Sequence, residues 1–417
     1  MEAKGFAELG IDPFFITRLG ERDIRVPTEI QKRVIPRLLA GENLIFRSAT
    51  GTGKTFAYLL PLIQTFLSPP TPGEQPDSAG GEKPGAWPRV LICAPTYELC
   101  SQIKHEADFL LSGLTPKAGL IIGSANMGRQ IEGLKRNRPE LIVGNPGRLL
   151  RIARMGKLKL NRLRALVLDE GDRLVSDELL EETRQFTDAL GQDRLSLACS
   201  ATMAKKSRER LLPLLGGGAA YEETADEEIL GERICHWALY SEGRRKIGVL
   251  RSFIVAAKVK KALVFIGPGG QVGNIVSQLQ YHHIPAAGLY RDMDKQKRKA
   301  ALENFRAGRV GILVSSDLAA RGLDIPGISH VIALDTGEDP QAYQHRAGRT
   351  GRAGQQGIMV SIGDEEELRR LARLEKKLSI TVYPKVISGG RVLDPPGEPP
   401  KDAPNPAALR QQGGVKN

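Results

Sequence analysis

The stretch LIFRSATGTGKT, residues 44–55, contains the pattern that most directly predicts the fold. A short β-rich run at residues 44–46 leads into a glycine-rich turn, and an apolar helical pattern begins directly after Thr55. Glycines let backbone N–H groups turn toward phosphates, the Lys54 ammonium supplies a positive charge, and the Thr55 hydroxyl is a ligand for Mg²⁺. This order of strand, loop and helix predicts a P-loop that binds a nucleotide, with Ser48 where the usual first glycine stands. The residues predicted to bind the phosphates are Thr50, Gly51, Thr52, Gly53, Lys54 and Thr55.

Short apolar runs alternate with helical stretches along most of the chain. That alternation is typical of a parallel β-sheet flanked by helices. The runs form two series, and 417 residues exceed the usual size of one domain. The first series comprises residues 44–46, 90–93, 141–143, 166–168 and 195–198, and the second comprises residues 262–266, 311–314, 330–334 and 358–362. We therefore predict an α/β protein of two tandem domains, each a parallel sheet flanked by helices.

Composition marks the limits of the two domains. Three glycines at residues 216–218 and an acidic stretch at residues 222–232 are typical of a surface crossing between domains. The Pro- and Gly-rich segments at residues 68–88 and 388–417 contain few apolar residues, which predicts disorder. The predicted organisation is a first domain over residues 1–220, a linker over 221–233, a second domain over 234–387 and a disordered tail over 388–417.

Charge and cysteine content narrow the class of protein. Lys and Arg outnumber Asp and Glu by 60 to 48, and the net charge of +12 favours polyanionic partners without by itself specifying a nucleic acid. The four cysteines lack zinc-ligand spacing, so we expect a reducing compartment and no structural metal. The N-terminus does not resemble a signal peptide, and no apolar run reaches the ~20 residues of a membrane span. We therefore expect a soluble, cytoplasmic protein.

An acidic segment follows the fourth strand of the first series. Asp169, Glu170, Gly171 and Asp172 come directly after the run at residues 166–168. Because ligands gather at the carboxyl ends of strands in open α/β sheets, Asp169 is predicted to hold Mg²⁺ through water. Glu170 is predicted to polarise the water that attacks the γ-phosphate. A solvated acidic turn is the alternative, and the P-loop upstream makes catalysis the favoured interpretation.

A basic segment, HRAGRTGR at residues 345–352, lies in the second series. Its three arginines recur every third residue among glycines, which a helix would not favour. One interpretation is an exposed loop that binds a phosphate backbone. The favoured interpretation is that Arg349 and Arg352 act as arginine fingers, which complete the ATP site when the two domains close.

Together these motifs resemble the DEAD-box RNA helicases, and the resemblance extends from Phe6 to about Tyr383. It implies two RecA-like domains, ATP and Mg²⁺ as cofactors, and a monomer that binds single-stranded or short duplex RNA. It also implies that ATP hydrolysis is coupled to closure on RNA and to local unwinding. Phe6 and the segment PTEIQ at residues 27–31 resemble the adenine-reading element, in which the amide of Gln31 pairs with the base. Asp324 would contact the ribose.

The same resemblance assigns RNA-binding and coupling positions. The first-domain positions that resemble RNA-backbone contacts are Pro95, Thr96, Tyr97, Gly123, Asn145, Pro146, Gly147 and Arg148. The second-domain positions are Phe265, Arg298, Ser316, Asp317 and Arg321. The positions that resemble the link between hydrolysis and unwinding are Ser200, Thr202, Asp172 and His345.

The sequence departs from the family pattern at several positions. Gly171 stands where the family has alanine, and this change should leave the chemistry intact. The remaining departures are Tyr97 for arginine, Asn145 for threonine, Ser124 for glycine, Lys295 for glutamine and Ser316 for threonine. Loss of the guanidinium at residue 97 would remove one phosphate contact, so weak or unusual RNA affinity is one hypothesis. Neutral drift at tolerant positions is an alternative of equal weight.

Two other functions fit parts of the pattern. An ATP-gated RNA clamp would hold RNA for partner proteins with little unwinding, and its ATPase residues would look the same. A P-loop ATPase that acts on protein or DNA is disfavoured by Gln31 and Arg352. Duplex release during ATP turnover would separate a helicase from a clamp.

Overall fold

The computed structural model describes residues 5–49, 51–67, 88–123, 125–191, 193–223, 233–267, 271–290, 293–316, 325, 327–351 and 355–396. The chain forms two compact units, Met1–Thr224 and Ala225–Asn417. Nearly all of the insertion predicted at residues 68–88 lies outside the described residues. The positions singled out from the sequence that also lie outside them are Thr50, Ser124, Asp317, Arg321, Asp324 and Arg352.

The first unit is built on a seven-stranded sheet whose described pairings are all parallel. Its strands are β1 (Leu44–Arg47), β2 (Val90–Cys93), β3 (Ala118–Ile121), β4 (Leu141–Gly144), β5 (Ala165–Asp169), β6 (Leu195–Ser200) and β7 (Ala220–Glu223). Their order across the sheet is β3-β4-β2-β5-β6-β1-β7. All five strands predicted in the first series are confirmed.

Each face of this sheet has its own hydrophobic core. The helices of the unit are α1 (Pro13–Gly20), α2 (Glu29–Leu39), α3 (Lys54–Phe66), α4 (Tyr97–Leu111), α5 (Met127–Asn137), α6 (Pro146–Arg154), α7 (Gly171–Leu174), α8 (Leu180–Asp188) and α9 (Lys205–Leu214), with a 3₁₀ turn at Ala7–Leu9. Leu44 and Phe46 of β1 join the core that contains residues of α2, α3 and α4, whereas Ile45 joins the core that contains residues of α6 to α9. Because alternate side chains of a strand point to opposite faces, both layers of helices are needed to bury β1.

The second unit has an eight-stranded sheet that is parallel except at its last pair. Its strands are β8 (Ile234–Tyr240), β9 (Ala262–Ile266), β10 (Ala286–Leu289), β11 (Ile312–Ser316), β12 (His330–Ala333), β13 (Gly357–Gly363), β14 (Val382–Ser388) and β15 (Arg391–Leu393). Their order across the sheet is β10-β11-β9-β12-β13-β8-β14-β15. The four strands predicted in the second series are confirmed.

Helices also flank the second sheet. The described helices are α10 (Lys246–Ala256), α11 (Val272–Tyr281), α12 (Lys295–Arg306), α13 (Pro340–Ala347) and α14 (Glu365–Leu378), with a 3₁₀ turn at Gly243–Arg245. A capping box between Asp364 and Glu367 begins α14. The carboxylate of Glu367 also accepts a bond from the partly buried Lys246 ammonium, which donates to the carbonyl of Leu334 as well, so α10 and α14 are held to the same end of the sheet. Within the described ranges, no helix has the length and apolar character of a membrane span.

Two boundaries predicted from composition need correction. Strand β7 begins at the last residue of the predicted first domain and continues into the predicted linker, because its backbone adds a parallel edge strand beside β1 despite an acidic sequence. Strand β15 falls in the predicted disordered tail, where it pairs antiparallel with β14, so ordered structure continues beyond residue 388. Both strands are short edge strands, and their pairing partner supplies the order that their own composition does not predict.

Candidate nucleotide site and RNA-facing loops

The glycine-rich loop lies between β1 and α3, as the P-loop pattern predicts. Gly51 and Gly53 have φ values of 81° and 86°, the left-handed region that side chains disfavour. The Lys54 ammonium lies within the loop, where it donates 2.6 Å bonds to the carbonyls of Ser48 and Ala49. Its positive charge is therefore held where the phosphates of a nucleotide would enter.

Ser48 stabilises the loop from inside. Its side chain is fully buried, and its hydroxyl lies 2.8 Å from that of Thr52, which bonds to the carbonyl of Ala49. Its backbone N–H donates to the carbonyl of Ser200 at the end of β6. The serine at the usual glycine position therefore ties the loop to itself and to the neighbouring strand.

Gln31 lies directly beside the P-loop. Its side-chain oxygen accepts a bond from the N–H of Thr28 in the capping box of α2, and its amide nitrogen donates to the carbonyl of Gly53 at 3.1 Å. Residue 53 has a left-handed φ, and a Cβ atom there would lie 2.5 Å from that nitrogen, so a side chain at this position would displace the Gln31 amide. Gln31 and Phe6 are both buried. The position next to the loop suits an adenine-reading element, and the pairing of Gln31 with adenine stays a prediction.

Asp169 ends β5 with a buried carboxylate that three donors orient. The Tyr58 hydroxyl donates to Oδ2 at 2.8 Å, and the Cys199 thiol and the Glu170 N–H donate to Oδ1 at 3.3 and 2.8 Å. Tyr58 lies one helical turn after Lys54 on α3, so the P-loop helix and the acidic segment meet through this bond. The structure thus brings together two motifs that are more than one hundred residues apart.

The two side-chain donors on Asp169 remain protonated. Burial, followed by the negative charge of Asp169, raises the pKa of the Tyr58 hydroxyl and of the Cys199 thiol well above their ordinary values. Hard oxygen ligands suit Mg²⁺, which keeps several waters in nucleotide sites. The carboxylate of Asp169 and the hydroxyl of Thr55 fit such a partly hydrated ion.

We predict that Tyr58→Phe weakens Mg²⁺-dependent nucleotide binding. Loss of the hydroxyl removes one of the donors that fix the Asp169 carboxylate, and changes around a metal ligand of this kind typically cost ~10-fold or more in metal affinity. The measurement is the Mg²⁺ concentration that half-saturates binding of a fluorescent ATP analogue. Tyr221→Phe, which removes a surface bond to Glu223, is the matched control. Equal Mg²⁺ requirements in all three proteins would contradict the role of Tyr58.

Glu170 and Gly171 form a strained and tightly packed turn after β5. Glu170 has φ 50° and ψ 49°, a left-handed conformation that is unfavourable for a residue with a side chain. A Cβ atom on Gly171 would lie 3.3 Å from both terminal methyl groups of Leu211. The glycine at the family's alanine position therefore matches the close packing of α9 on this turn.

Asp172 connects the acidic segment with the end of β6. Its carboxylate accepts a 2.5 Å bond from the Ser200 hydroxyl and a further short bond from the Thr202 hydroxyl. Ser200 in turn accepts the bond from the N–H of Ser48 through its carbonyl. The residues predicted to couple hydrolysis to unwinding on this unit thus form one hydrogen-bonded connection that reaches the P-loop.

The predicted RNA positions of the first unit lie in three loops at the carboxyl ends of β2, β3 and β4. Asn145 joins them, because its amide donates to the carbonyl of Ala94 at 2.8 Å and accepts from the N–H of Gly123 at 3.4 Å. The Arg148 guanidinium donates to the carbonyls of Ile122, Gly123 and Ala125. Arg148 therefore shapes this surface, and its direct contact with RNA stays a prediction. An asparagine can make both bonds of residue 145 at once, which gives that departure a structural reason.

Thr96 and Tyr97 begin α4 at the same surface. The Thr96 hydroxyl accepts a bond from the N–H of Leu99 and caps the helix, with Pro95 directly before it. Tyr97 is 44% exposed. No contact in the structure explains the exchange of arginine for tyrosine there.

Pro146 and Gly147 begin α6, and a Cβ on Gly147 would collide with the carboxylate of Glu182.

We predict that Tyr97→Arg strengthens RNA binding. An added guanidinium next to the first-unit RNA loops would restore one phosphate contact and steepen the salt dependence of single-strand binding by about 0.7 in the log–log slope. Titration of a labelled single-stranded RNA at several salt concentrations measures this slope. A Tyr97→Gln protein is the uncharged control. Unaltered affinity and slope in the arginine variant would favour neutral drift at this position.

The second unit holds Arg346 and Arg349 in buried positions. The Arg346 guanidinium lies over the Phe265 ring, 5.5 Å from its centroid, and donates to the carbonyl of Asp335 at 2.6 Å. Arg349 is only 7% exposed, and its Nε donates to the carbonyl of His345. Phe265 is therefore a packing partner of the arginine motif. Ser316 ends β11 and Arg298 lies on α12, in the same unit.

Three residues of the site were not predicted from the sequence: Tyr58, Cys199 and Ser48 as a structural member of the loop. Only Tyr58 offered a signal, since it lies four positions after Lys54 and therefore on the same helix face. Cys199 and Tyr58 meet Asp169 through tertiary packing alone.

Comparisons with known proteins cover both units. A DEAD/DEAH box helicase model matches residues 28–211, and a helicase conserved C-terminal domain model matches residues 245–354. The chain is 34% identical over 392 residues to the DEAD-box ATP-dependent RNA helicase CshC of Bacillus cereus, across 94% of this chain and 96% of that protein. It is 32% identical to the ATP-dependent RNA helicase RhlB of Pectobacterium atrosepticum, across 89% of this chain and 84% of that protein.

The fold also matches solved structures. Dbp5 of S. cerevisiae, bound to RNA and ADP BeF3, aligns with a TM-score of 0.78 and 25% identity over 92% of this chain and 96% of that chain. The two RecA-like domains expected from the resemblance are thereby confirmed. Motifs, fold and near full-length similarity agree, and the chain belongs to the DEAD/DEAH box helicase family.

Proposed function

We propose that this protein is an ATP-dependent RNA helicase, which couples ATP hydrolysis to closure of its two domains on RNA and to local duplex unwinding. The main structural support for this proposal is a hydrogen-bonded connection from the P-loop to the acidic segment. The N–H of Ser48 donates to the carbonyl of Ser200, and the hydroxyl of Ser200 donates to the carboxylate of Asp172. This connection links the nucleotide loop with the acidic segment, so a change in one can alter the other. Its relatives CshC and RhlB are named as ATP-dependent RNA helicases, which supports the same activity here.

The residues of the first domain have distinct roles in this proposal. Lys54 binds the phosphates, and Thr55 and Asp169 hold Mg²⁺, which neutralises phosphate charge when it is bound with ATP. Glu170 orients the attacking water and accepts its proton.

Gln31 and Phe6 bind the adenine side, together with Asp324 of the second domain at the ribose. The bonds of Gln31 to Thr28 and Gly53 hold its amide at the edge of the loop.

Arg349 and Arg352 of the second domain complete the site after closure. An arginine finger stabilises the charge that develops on the transferred phosphoryl group. His345 lies one turn before Arg349, and its carbonyl accepts a hydrogen bond from the Nε of that arginine.

RNA whose backbone is bound by the loops around Tyr97, Asn145 and Gly147 would favour the closed state. The second-domain residues that would add contacts are Arg298, Ser316, Asp317 and Arg321. The cytoplasmic location and the monomeric state stay predictions.

Ser200→Ala combined with Thr202→Val is predicted to separate hydrolysis from unwinding. The two changes remove both hydroxyl donors from Asp172, and bonds to a charged group contribute about 1.5–3 kcal/mol each. We expect the number of duplexes released per ATP hydrolysed to fall roughly tenfold, while ATP binding is retained. Parallel ATPase and strand-displacement assays measure that ratio, with Ser207→Ala on α9 as a hydroxyl-loss control. An unchanged ratio would show that this connection does not couple the two events.

Strand displacement also tests the proposed function as a whole. The wild-type protein should release a short RNA duplex only with hydrolysable ATP. Long-lived RNA binding in the ATP state, with turnover but no duplex release, would identify an ATP-gated clamp instead. Release of DNA duplexes at the same rate would contradict RNA as the substrate.

A further inference from the structure

The amino-terminal edge of the first sheet carries a row of basic residues. In five adjacent strands, β3, β4, β2, β5 and β6, the first residues pair in register. The residues directly before them are, in that order, Lys117, Glu140, Arg89, Arg164 and Arg194. Four of these five positions are therefore basic, at the edge opposite to the carboxyl ends where the P-loop, Asp169 and the RNA-facing loops lie.

Backbone hydrogen bonds join this row. The N–H of Glu140 donates to the carbonyl of Lys117, that of Arg89 to Glu140, and that of Arg164 to Arg89, at 3.1, 2.8 and 2.8 Å. Because adjacent strands lie about 4.8 Å apart, Lys117 and Arg164 are separated by roughly 14 Å of backbone. Positive charge is thus spread over a continuous surface rather than concentrated at one point.

The loops that lead into the row add more positive charge. Residues 155–164, between α6 and β5, contain four basic residues and no Asp or Glu. Among the cations at the edge, Lys157 and Lys159 precede β5, and Arg136 and Arg138 precede β4. We call the following exposed residues the basic edge: Arg89, Lys117, Arg136, Arg138, Lys157, Lys159 and Arg164.

Among the described residues of the row, few opposing charges interrupt the basic edge. Glu140 is the acidic member of the row, and its side chain is partly buried beside Arg89. Asp193 is exposed next to Arg194, whose own guanidinium is turned toward the carbonyls of Gly191 and Leu214. Each lysine of the basic edge carries its ammonium group on a flexible stem, which suits contact with the regularly spaced charges of a polyanion.

The composition of the edge distinguishes between classes of RNA. Residues 135–140 and 155–164 contain no aromatic residue, so these segments offer no platform for stacked bases. Basic segments of this kind contact phosphates, which is how proteins bind the outside of an RNA duplex. We infer that the basic edge is a second RNA site, which binds the phosphate backbone of duplex RNA that flanks the segment engaged by the ATPase. The inference rests on the proposed RNA substrate.

A fourfold neutralisation tests the basic edge. Lys117→Gln, Arg138→Gln, Lys157→Gln and Lys159→Gln remove four exposed charges that lie outside the nucleotide site and the RNA-facing loops. The probe is a blunt-ended RNA duplex without single-stranded ends, titrated without nucleotide over a salt series. We expect a log–log salt slope smaller by about 3.6, because each of the four phosphate contacts contributes ~0.9, and binding at 0.1 M salt that is weaker by on the order of 10³. ATPase stimulation by a short single-stranded RNA, which engages the carboxyl edge alone, should be unchanged.

Matched and partial variants keep the test decisive. The control removes four exposed lysine charges from the second unit, at Lys258, Lys260, Lys376 and Lys377, with the same substitution to glutamine. The pairs Lys117→Gln with Arg138→Gln and Lys157→Gln with Lys159→Gln should each produce about half of the slope change.

Three results would overturn the inference. An equal loss in the control would show that only net charge matters. Unchanged duplex binding in the fourfold variant would also refute it, and would leave an acidic protein as the partner that such a surface fits. Loss of single-strand stimulation together with duplex binding would place these residues in the main RNA site. Failure of the proposed function is distinguishable, because the wild-type protein would then bind neither RNA.

Discussion

Arg352→Ala should lower the RNA-stimulated ATPase rate by ~10³ to 10⁵, which corresponds to roughly 4 to 7 kcal/mol of transition-state stabilisation. The reason is that the guanidinium would act only on the charge that develops during phosphoryl transfer, so ATP binding should be spared. Arg349 is the less informative target, because its side chain is buried and bonded to His345, and its removal would also disturb the packing of the second unit. The measurement combines steady-state ATPase rates with titration of a fluorescent ATP analogue.

Arg352→Lys is the matched control for charge. Lysine keeps the positive charge but lacks the planar fork of donors, so it should recover little of the rate. Retention of more than a tenth of the wild-type rate by Arg352→Ala would refute its role as a finger. A loss of ATP affinity equal to the loss of rate would instead identify Arg352 as a binding residue.

Glu170→Gln is the second change with a large expected effect. A general base contributes about 10² to 10⁴ in rate, and glutamine keeps the size of the side chain while it removes the proton acceptor. The left-handed turn at residue 170 and the bond from its N–H to Asp169 should persist, so Mg²⁺-dependent nucleotide binding should be retained. RNA bound in the presence of ATP should then dissociate slowly, because hydrolysis no longer reopens the domains.

A nearby exposed carboxylate provides the control for Glu170. Glu178 forms an ion pair with Arg173 at the surface, and Glu178→Gln should leave the ATPase rate unchanged. Single-turnover hydrolysis with ATP in the presence of RNA measures the chemical step directly. If the Glu170→Gln protein hydrolyses ATP within tenfold of the wild-type rate, another group must activate the water.

The sequence predicted the central strands of both sheets and missed most of the edges. Strands such as β1 and β5 are buried on both faces, and burial of this kind requires the continuous apolar runs that were recognised. Edge strands are less buried, so their sequences need not form continuous apolar runs. Strands β3 and β10 are rich in Ala and Gly, and β7 is acidic, so only their pairing partners reveal them. Strand β8 is apolar enough for its composition to indicate a strand, although it is not among the predicted runs.

In the site, as in the sheets, contiguous sequence patterns predict some features, and others depend on tertiary packing. Lys54 and Asp169 each belong to a contiguous motif that follows a strand, and these local patterns predict a shared nucleotide site. The contacts of Asp169 with Tyr58 and Cys199 join residues on three different elements, which no local pattern contains. The double use of Gln31, as a helix cap and as a partner of Gly53, likewise depends on how α2 packs beside the P-loop.

The structure explains some of the departures from the family pattern and leaves Tyr97 without an explanation. Asn145 and Gly171 each have a contact that suits the new residue: two bonds between loops for Asn145, and the methyl groups of Leu211 for Gly171. Ser48 similarly bonds within the loop. Packing and hydrogen bonding can therefore explain these three positions without any change in chemistry. Tyr97 is the departure whose effect on RNA binding most needs measurement.

RNA is expected to control ATP hydrolysis at the P-loop of the first domain. The steady-state ATPase rate is measured without nucleic acid, with single-stranded RNA, with structured RNA and with DNA, beside the Glu170→Gln protein. We expect stimulation by RNA and not by DNA, and loss of this stimulation in the variant. A wild-type rate that is the same with and without RNA would contradict this expectation.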